Sequence, residues 1–331
     1  MKTQPIFSGY APLGARKERL EDVHLQHLHG IDCEGIQISH TDNTARLSGV
    51  IIRPEGQTEP PRIVSLLNII LRTGKLLNNT SKGNAGNPLH RLPVFQALLR
   101  ATSTGNLHTP TAVLAVAPRS YWTSTPRRPT QDGLIADYIA ALGYAQLRFP
   151  GARTILYGHS LGGAVALCML DHLSSPAVSK QTRELDTSCA SIAGLILENP
   201  LSSVPDMLPA LYPPRWVPYR HLRPFVWDRW DALGAVEAAV ATPGENISPL
   251  VRLSRKMLVL VSENDEVVPR TMGAQIVKAA AERDVQSGAG DPVRGPQLVV
   301  IRGALHENAW DRYGWAEAVR AYVRRVVEEG E

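Results

Sequence analysis

Residues 153–173, which read RTILYGHSLGGAVALCMLDHL, decide the fold of this 331-residue chain. Residues 153–158 form a short apolar run that predicts a buried strand, and residues 161–173 form a longer run that predicts a buried helix. The turn between them is rich in glycine, so the chain can change direction within a few residues. A strand that passes into a helix in this way is the building unit of a parallel sheet covered by helices.

The same alternation of apolar strands and helices continues on both sides of this unit. It predicts an α/β fold with a mostly parallel central sheet, helices on both faces and a small cap. Residues 35–54 differ, because apolar and polar side chains alternate there, and this alternation predicts a β-hairpin. The remaining predicted strands are 111–117, 191–199, 256–262 and 297–303, and the remaining predicted helices are 130–145, 271–284 and 310–328.

The chain is expected to consist of a short arm and one large domain. Residues 1–30 are polar and weakly periodic, so we expect them to form a loosely held N-terminal arm. Residues 31–331 would form the α/β domain, with a cap inserted at about residues 201–250.

The turn at 158–162 reads Gly-His-Ser-Leu-Gly, the G-x-S-x-G pattern of a nucleophile elbow. Its setting between an apolar strand and an apolar helix makes Ser160 the candidate nucleophile. Glycines are needed because side chains two residues on either side of the serine would collide in so tight a turn. We interpret His159 as a packing residue; the alternative is a glycine-rich turn whose serine has no chemical role.

A serine nucleophile needs a histidine base within hydrogen-bond reach and a carboxylate that orients the base. His306 follows the predicted strand that ends near residue 303, and Asp265 follows the one that ends near residue 262. Both therefore fall at the carboxyl edge of the sheet, where such folds keep their sites. Glu263 and Glu266 are alternatives to Asp265. We prefer Asp265 because it begins the pattern D-x-x-V-P at 265–269, whose last two residues turn the chain into the next helix.

The sequence resembles the α/β-hydrolase superfamily. Within it, the resemblance is to the abhydrolase-domain branch of fungal bud-emergence-type proteins and of animal monoacylglycerol and lysophospholipid lipases. It extends from about residue 35 to the C-terminus. Several separate motifs carry it: GNAGN at 83–87, HRLP at 90–93, RSYW at 119–122 with Asp137, Glu198-Asn199-Pro200, Trp230-Asp231, and His306 with Asn308.

This resemblance implies an oxyanion hole made by the backbone N–H groups of Asn84 and Leu161. Relatives have a glycine-rich segment at the place where this chain has Ser120 and Trp122. These larger side chains should narrow the space beside the site. Relatives often carry an N-terminal membrane helix, which is not seen here. Residues 65–82 agree least with the predicted fold. A strand begins at residues 62–64 and should lead directly into the turn at Gly83, but the stretch SLLNIILRTGKLLNNTSK separates the two. We expect this stretch to be poorly packed or to displace the third strand.

Aromatic side chains of the cap are candidates for the substrate side. Residues 201–230 contain six prolines and six aromatic residues. We expect Trp216 and Trp227, together with Trp122, to line an acyl pocket; the alternative is a cap that packs on its own side chains.

The composition is that of an ordinary globular enzyme, with 44% hydrophobic and 20% charged residues and a net charge of +4. No basic run suggests nucleic-acid binding, and three cysteines imply no disulfide framework. The sequence shows neither a signal peptide nor a membrane span, so we expect a cytoplasmic protein, for which peripheral membrane contact stays open. No cofactor and no metal are expected. The sequence does not determine the oligomeric state.

These features predict a serine hydrolase that cleaves carboxylic esters, such as monoacylglycerols, lysophospholipids or thioesters. Two alternatives stay open. One is a serine peptidase of the same fold, and the other is a non-catalytic hydrolase-fold protein that binds a ligand.

Overall fold

A computed structural model describes residues 18–22, 30–40, 45–69, 87–103, 109–175, 189–212, 216, 218–239, 247–286 and 295–329. Within these residues, eight strands form one sheet in the order β1-β2-β4-β3-β5-β6-β7-β8. The strands are β1 Ile31–Ser39, β2 Arg46–Pro54, β3 Ile63–Ile69, β4 Thr111–Ala117, β5 Arg153–His159, β6 Ile192–Glu198, β7 Leu258–Ser262 and β8 Gln297–Ile301.

Helices follow most of the parallel strands, as the alternating pattern predicted. The helices of the described residues are α1 Leu92–Ser103, α2 Gln131–Arg148, α3 Leu161–Ser174, α4 Val204–Leu211, α5 Ala232–Ala238, α6 Pro249–Ser254, α7 Arg270–Gln286 and α8 Tyr313–Glu328.

The predicted α/β fold is confirmed. The six strands in the order β4-β3-β5-β6-β7-β8 run parallel to one another, while β2 pairs antiparallel with both β4 and β1. The predicted hairpin is the β1–β2 pair, in which Gly35 lies opposite Val50. Successive side chains of β3 and β4 enter two different hydrophobic clusters, one with α2, α3 and α7 and one with α1 and α8. Helices therefore cover both faces of the sheet.

The third strand is longer than predicted and it is not displaced. Residues 63–69 form β3, which lies between β4 and β5 and pairs with both in parallel. Ser65 and Leu66, which we had assigned to an intervening stretch, are buried strand residues. A central strand gains backbone hydrogen bonds to neighbours on both sides. This stabilisation outweighs the poor agreement between the local sequence and the predicted strand. Residues 70–86, including the rest of that stretch, lie outside the described residues.

The segment between β6 and β7 contains α4, α5 and α6 together with two short 3-10 turns, Pro218–His221 and Arg223–Phe225. This is where the cap was predicted. Most of the predicted arm lies outside the described residues. Of the helices in the described part of the chain, none combines the length and the apolar character that crossing a membrane requires.

Candidate active site

Ser160 lies in the sharp turn that joins β5 to α3. Its backbone has φ 54° and ψ −122°, a left-handed conformation that costs free energy in a residue other than glycine. The Ser160 amide donates a hydrogen bond to the carbonyl oxygen of Glu198 at the end of β6, at 2.8 Å. The neighbouring strand therefore holds the strained residue in place, at the N-terminus of a helix where negative charge is favoured.

Two glycines allow this turn to form. A Cβ atom on Gly158 would lie 2.6 Å from the carbonyl oxygen of Gly162 and 2.6 Å from the Cα atom of Gly163. A Cβ atom on Gly163 would lie 2.9 Å from the side chain of Pro200, which follows β6. Since real Cβ atoms essentially never lie within 3.0 Å of such neighbours, the glycines at these two positions are a steric requirement of the elbow.

His306 and Asp265 are in direct contact. Nδ1 of His306 lies 2.8 Å from Oδ2 and 3.1 Å from Oδ1 of Asp265. Both side chains are buried, with exposed fractions of 5% and 1%. Oδ1 of Asp265 also accepts hydrogen bonds from the amides of Val267 and Val268 at 2.8 and 2.7 Å. The carboxylate is therefore oriented by its own loop, and it orients the imidazole with Nε2 as the remaining nitrogen.

The neighbouring glutamates that competed with Asp265 bind backbone instead of the imidazole. Oε2 of Glu263 accepts from the amide of Gly303 at 2.8 Å, and Oε2 of Glu266 accepts from the amide of His306 at 3.0 Å. Two backbone hydrogen bonds, from Glu263 to Ile301 and from Asn264 to Ala304, join the same two loops. The ends of β7 and β8 are thus tied together, and this connection places Asp265 beside His306.

The surroundings of His306 change its affinity for a proton. Burial lowers the pKa of the imidazole because it disfavours the charged form. The hydrogen bond and the negative charge of Asp265 act in the opposite direction and prevail, so the pKa of His306 is raised above its ordinary value of 6.5. A histidine whose charged form is stabilised in this way can accept a proton readily.

His159 and Asn199 hold the backbone of His306, a role that the sequence had not indicated. Nε2 of His159 donates to the carbonyl oxygen of His306 at 3.0 Å, and the two rings lie 4.8 Å apart. Nδ2 of Asn199 donates to the same oxygen at 3.0 Å. Burial lowers the pKa of His159, which favours the neutral ring, and the tautomer with its proton on Nε2 donates this bond. The only available signal was that Asn199 belongs to the motif at 198–200.

Glu307 connects the base loop to the turn before α1. Its carboxylate forms an ion pair with Arg91 in the 3-10 turn Pro88–Arg91. Burial alone would raise the pKa of Glu307, but the positive charges around it, Arg91 among them, lower it to about 2. Ligand atoms of His159, His306 and Glu307 lie within 4.8 Å of one another. The chemistry of this set fits a metal poorly, because Arg91 already neutralises the carboxylate and lies beside it.

The other predicted residues are placed as follows. Leu161 is the first residue of α3, while Asn84 lies outside the described residues. Trp122 is half-buried, has a positive φ, and its Nε1 donates to the carbonyl oxygen of Glu18 at 2.7 Å. Trp216 and Trp227 are 83% and 92% exposed. Side chains exposed to that degree enclose no acyl chain in this conformation, because a pocket residue needs protein on the opposite side.

Comparison with known proteins gives a family match over most of the chain. A family model described as the alpha/beta hydrolase family matches residues 86–326. This range begins just before α1 and includes Ser160, Asp265 and His306.

Curated proteins are similar at low identity. Protein bem46 of Schizosaccharomyces pombe is 28% identical over 188 residues, which cover 56% of this chain and 50% of that protein. The alpha/beta hydrolase domain-containing protein WAV2 of Arabidopsis thaliana is 27% identical over 230 residues, 69% of this chain and 62% of WAV2. The lysophosphatidylserine lipase ABHD12 of Danio rerio is 26% identical over 167 residues, 50% of this chain and 39% of ABHD12. The chain thus spans about half the length of the curated relatives it matches.

Solved structures share the fold. The esterase Pf2001 of Pyrococcus furiosus has a TM-score of 0.55 at 16% identity, over 92% of this chain and 96% of the esterase. Est1E of Butyrivibrio proteoclasticus has a TM-score of 0.51 at 15% identity, over 89% of this chain and 99% of Est1E. At these identities the likeness concerns the fold alone.

Proposed function

Because this chain belongs to the alpha/beta hydrolase family, we propose that it is a serine hydrolase that cleaves carboxylic esters. The observation that carries the proposal is the buried contact of 2.8 Å between Nδ1 of His306 and Asp265, at the edge of the sheet where Ser160 lies. A buried carboxylate on Nδ1 is the arrangement that turns a histidine into a general base through Nε2.

In the proposed reaction, Ser160 Oγ attacks the ester carbonyl carbon while Nε2 of His306 takes the hydroxyl proton. Asp265 holds the tautomer with a proton on Nδ1 and stabilises the imidazolium that forms. The tetrahedral intermediate then collapses, His306 donates the proton to the leaving alkoxide, and an acyl-enzyme remains. Water attacks this acyl-enzyme with His306 again as base, which releases the acid and restores Ser160.

The oxyanion would be stabilised at the start of α3. Leu161 follows Ser160 directly, and its amide lies in the first turn of a 14-residue helix, where N–H groups lack partners within the helix. We propose this amide as one donor and, by the family resemblance, the amide of Asn84 as the second. Loss of one such donor typically costs about 3 to 4 kcal/mol of transition-state stabilisation.

Lipid esters with a single acyl chain are the substrate class that we propose first. The support is the similarity to a protein named as a lysophosphatidylserine lipase, at 26% identity. Peptide hydrolysis and ligand binding without catalysis are the alternatives. Hydrolysis of p-nitrophenyl butyrate and of lysophosphatidylserine, compared with a p-nitroanilide peptide, separates these three classes of function.

The direct test of the nucleophile is covalent labelling with a fluorophosphonate probe. We expect the wild-type chain to be labelled, and Ser160→Ala to lose both labelling and p-nitrophenyl butyrate hydrolysis because no activated hydroxyl remains. Ser175→Ala, at the other end of α3, is the matched control and should label like the wild type. Labelling that persists in Ser160→Ala would refute the assignment, and an unlabelled wild-type chain would favour a binding protein.

A further inference from the structure

The cap contains three aromatic side chains that are almost fully exposed. Trp216, Phe225 and Trp227 have exposed fractions of 83%, 73% and 92%, and all three lie between α4 and α5. We call residues 212–230 the cap segment. Large apolar side chains that stay in water lose the stabilisation of burial, and a local concentration of them marks an interaction surface. Tryptophan in particular is enriched where a protein meets the headgroup level of a membrane.

The cap segment is also positively charged. Its sequence contains four arginines and one histidine against a single acidic residue, Asp228. Oδ1 of Asp228 already accepts a hydrogen bond from the amide of Gln131 at 2.8 Å. Arg229 is exposed, while Arg223 is half-exposed and forms an ion pair with Asp206. In the sequence of this segment the arginines outnumber the acidic residues, and such an excess of positive charge is complementary to an anionic lipid surface, to which each nearby basic residue adds attraction.

Hydrogen bonds fix the C-terminal end of this segment at the edge of the sheet that holds Ser160. The amide of Val204, shortly after β6, donates to the carbonyl oxygen of Arg229 at 2.8 Å. The amide of Trp230 donates to Oε1 of Gln131, the first residue of α2, at 2.9 Å. Trp230 is 2% exposed, in contrast with Trp227 three positions earlier. One tryptophan thus anchors the segment in the core while the others face outward.

We propose that the cap segment docks on an anionic lipid surface, with Trp216, Phe225 and Trp227 inserted among the headgroups. This docking would supply a lipid surface to the proposed hydrolase. Only its biological purpose rests on the proposed function. Docking by this edge would place Ser160 beside lipid, so that a single-chain lipid could pass to the site without crossing water. The binding itself requires no catalysis and can be measured in an inactive variant.

The test is sedimentation of the full chain, in a Ser160→Ala background, with lipid vesicles. Vesicles of phosphatidylcholine with about 30% phosphatidylserine should bind the chain, and binding should weaken as salt rises from about 0.05 to about 0.5 M. Replacing Trp216, Phe225 and Trp227 together with serine should weaken binding at least about tenfold, because three buried aromatic rings are lost. Circular dichroism and the melting temperature report whether the variant is folded.

The matched control is Leu147→Ser with Val285→Ser. These side chains are 87% and 76% exposed, but they lie near the ends of α2 and α7, at the opposite edge of the sheet. The control variant should bind vesicles as strongly as the Ser160→Ala chain whose cap segment is unchanged. Equal binding by the triple cap variant, or failure of the folded chain to bind anionic vesicles, would refute the proposal and point to a protein partner. Failure of fluorophosphonate labelling would contradict the proposed function alone.

Discussion

At His306, burial and the contact with Asp265 have opposite effects on the pKa of the imidazole. Its ring is buried, which disfavours the imidazolium, and it is bound to Asp265, which favours it. The backbone of the same residue accepts hydrogen bonds from His159 and Asn199 and donates one to Glu266. A ring whose backbone and Nδ1 are both held has little freedom left, so its position costs little entropy when a substrate arrives.

A prediction at the scale of the residue concerns Asp265→Asn. It should lower kcat by about 10³ to 10⁴, because an amide permits the wrong tautomer of His306. Activity rises with pH as His306 loses its proton, so the wild-type kcat/KM should rise with an apparent pKa above 6.5. In Asp265→Asn burial remains and the negative charge is gone, so that midpoint should move to lower pH. Rate profiles on p-nitrophenyl butyrate measure both effects.

Glu263→Gln is the matched control for this prediction, because Glu263 lies in the same loop and binds the amide of Gly303. It should change kcat far less and leave the midpoint in place. A larger loss at Glu263 or Glu266 than at Asp265 would transfer the orienting role to that glutamate.

At the scale of the element, the junction of β5 and α3 depends on Gly158. Gly158→Ala should abolish labelling of Ser160 and lower the melting temperature, because the added methyl group would lie 2.6 Å from the carbonyl oxygen of Gly162. Gly143→Ala is the matched control, since it lies within α2 with no atom within 4 Å of the added Cβ. It should raise stability by about 0.5 to 1 kcal/mol through helix propensity. Probe labelling and thermal unfolding check both variants; a labelled, stable Gly158→Ala protein would contradict the steric explanation.

At the scale of the whole molecule, a buried ion cluster joins three parts of the chain. Asp137 in α2 is 1% exposed and binds both Arg119, after β4, and His40, after β1. The hairpin, the central sheet and a covering helix are therefore connected by one carboxylate. The family resemblance includes Arg119 and Asp137 in a motif, and in the structure these two side chains form an ion pair.

Asp137→Ala should lower the free energy of unfolding by about 3 to 5 kcal/mol, because the largely buried charge of Arg119 would lose its ion pair with this carboxylate. Urea unfolding followed by circular dichroism measures this loss. Asp132→Ala in the same helix is the control: this residue is exposed in the first turn of α2, so its loss should cost about 1 kcal/mol or less. Equal losses in the two variants would show that the cluster adds nothing beyond an exposed charge.

The sequence by itself determined the fold and the region of the site. Apolar runs and glycine turns are local signals, so residues 153–173 were enough to predict the strand, the helix and the position of Ser160. Chain order then pointed to Asp265 and His306, because parallel strands bring their carboxyl ends to one edge.

Only the tertiary structure decided which side chains meet across that edge and which face solvent. His159 contacts a residue 147 positions away, and Glu307 one that is 216 positions away, through a sheet register that no local pattern encodes. The same applies to Trp227 and Trp230, which look alike in sequence but are 92% and 2% exposed. Burial is a property of the surfaces that fold around a residue, and those surfaces come from distant parts of the chain.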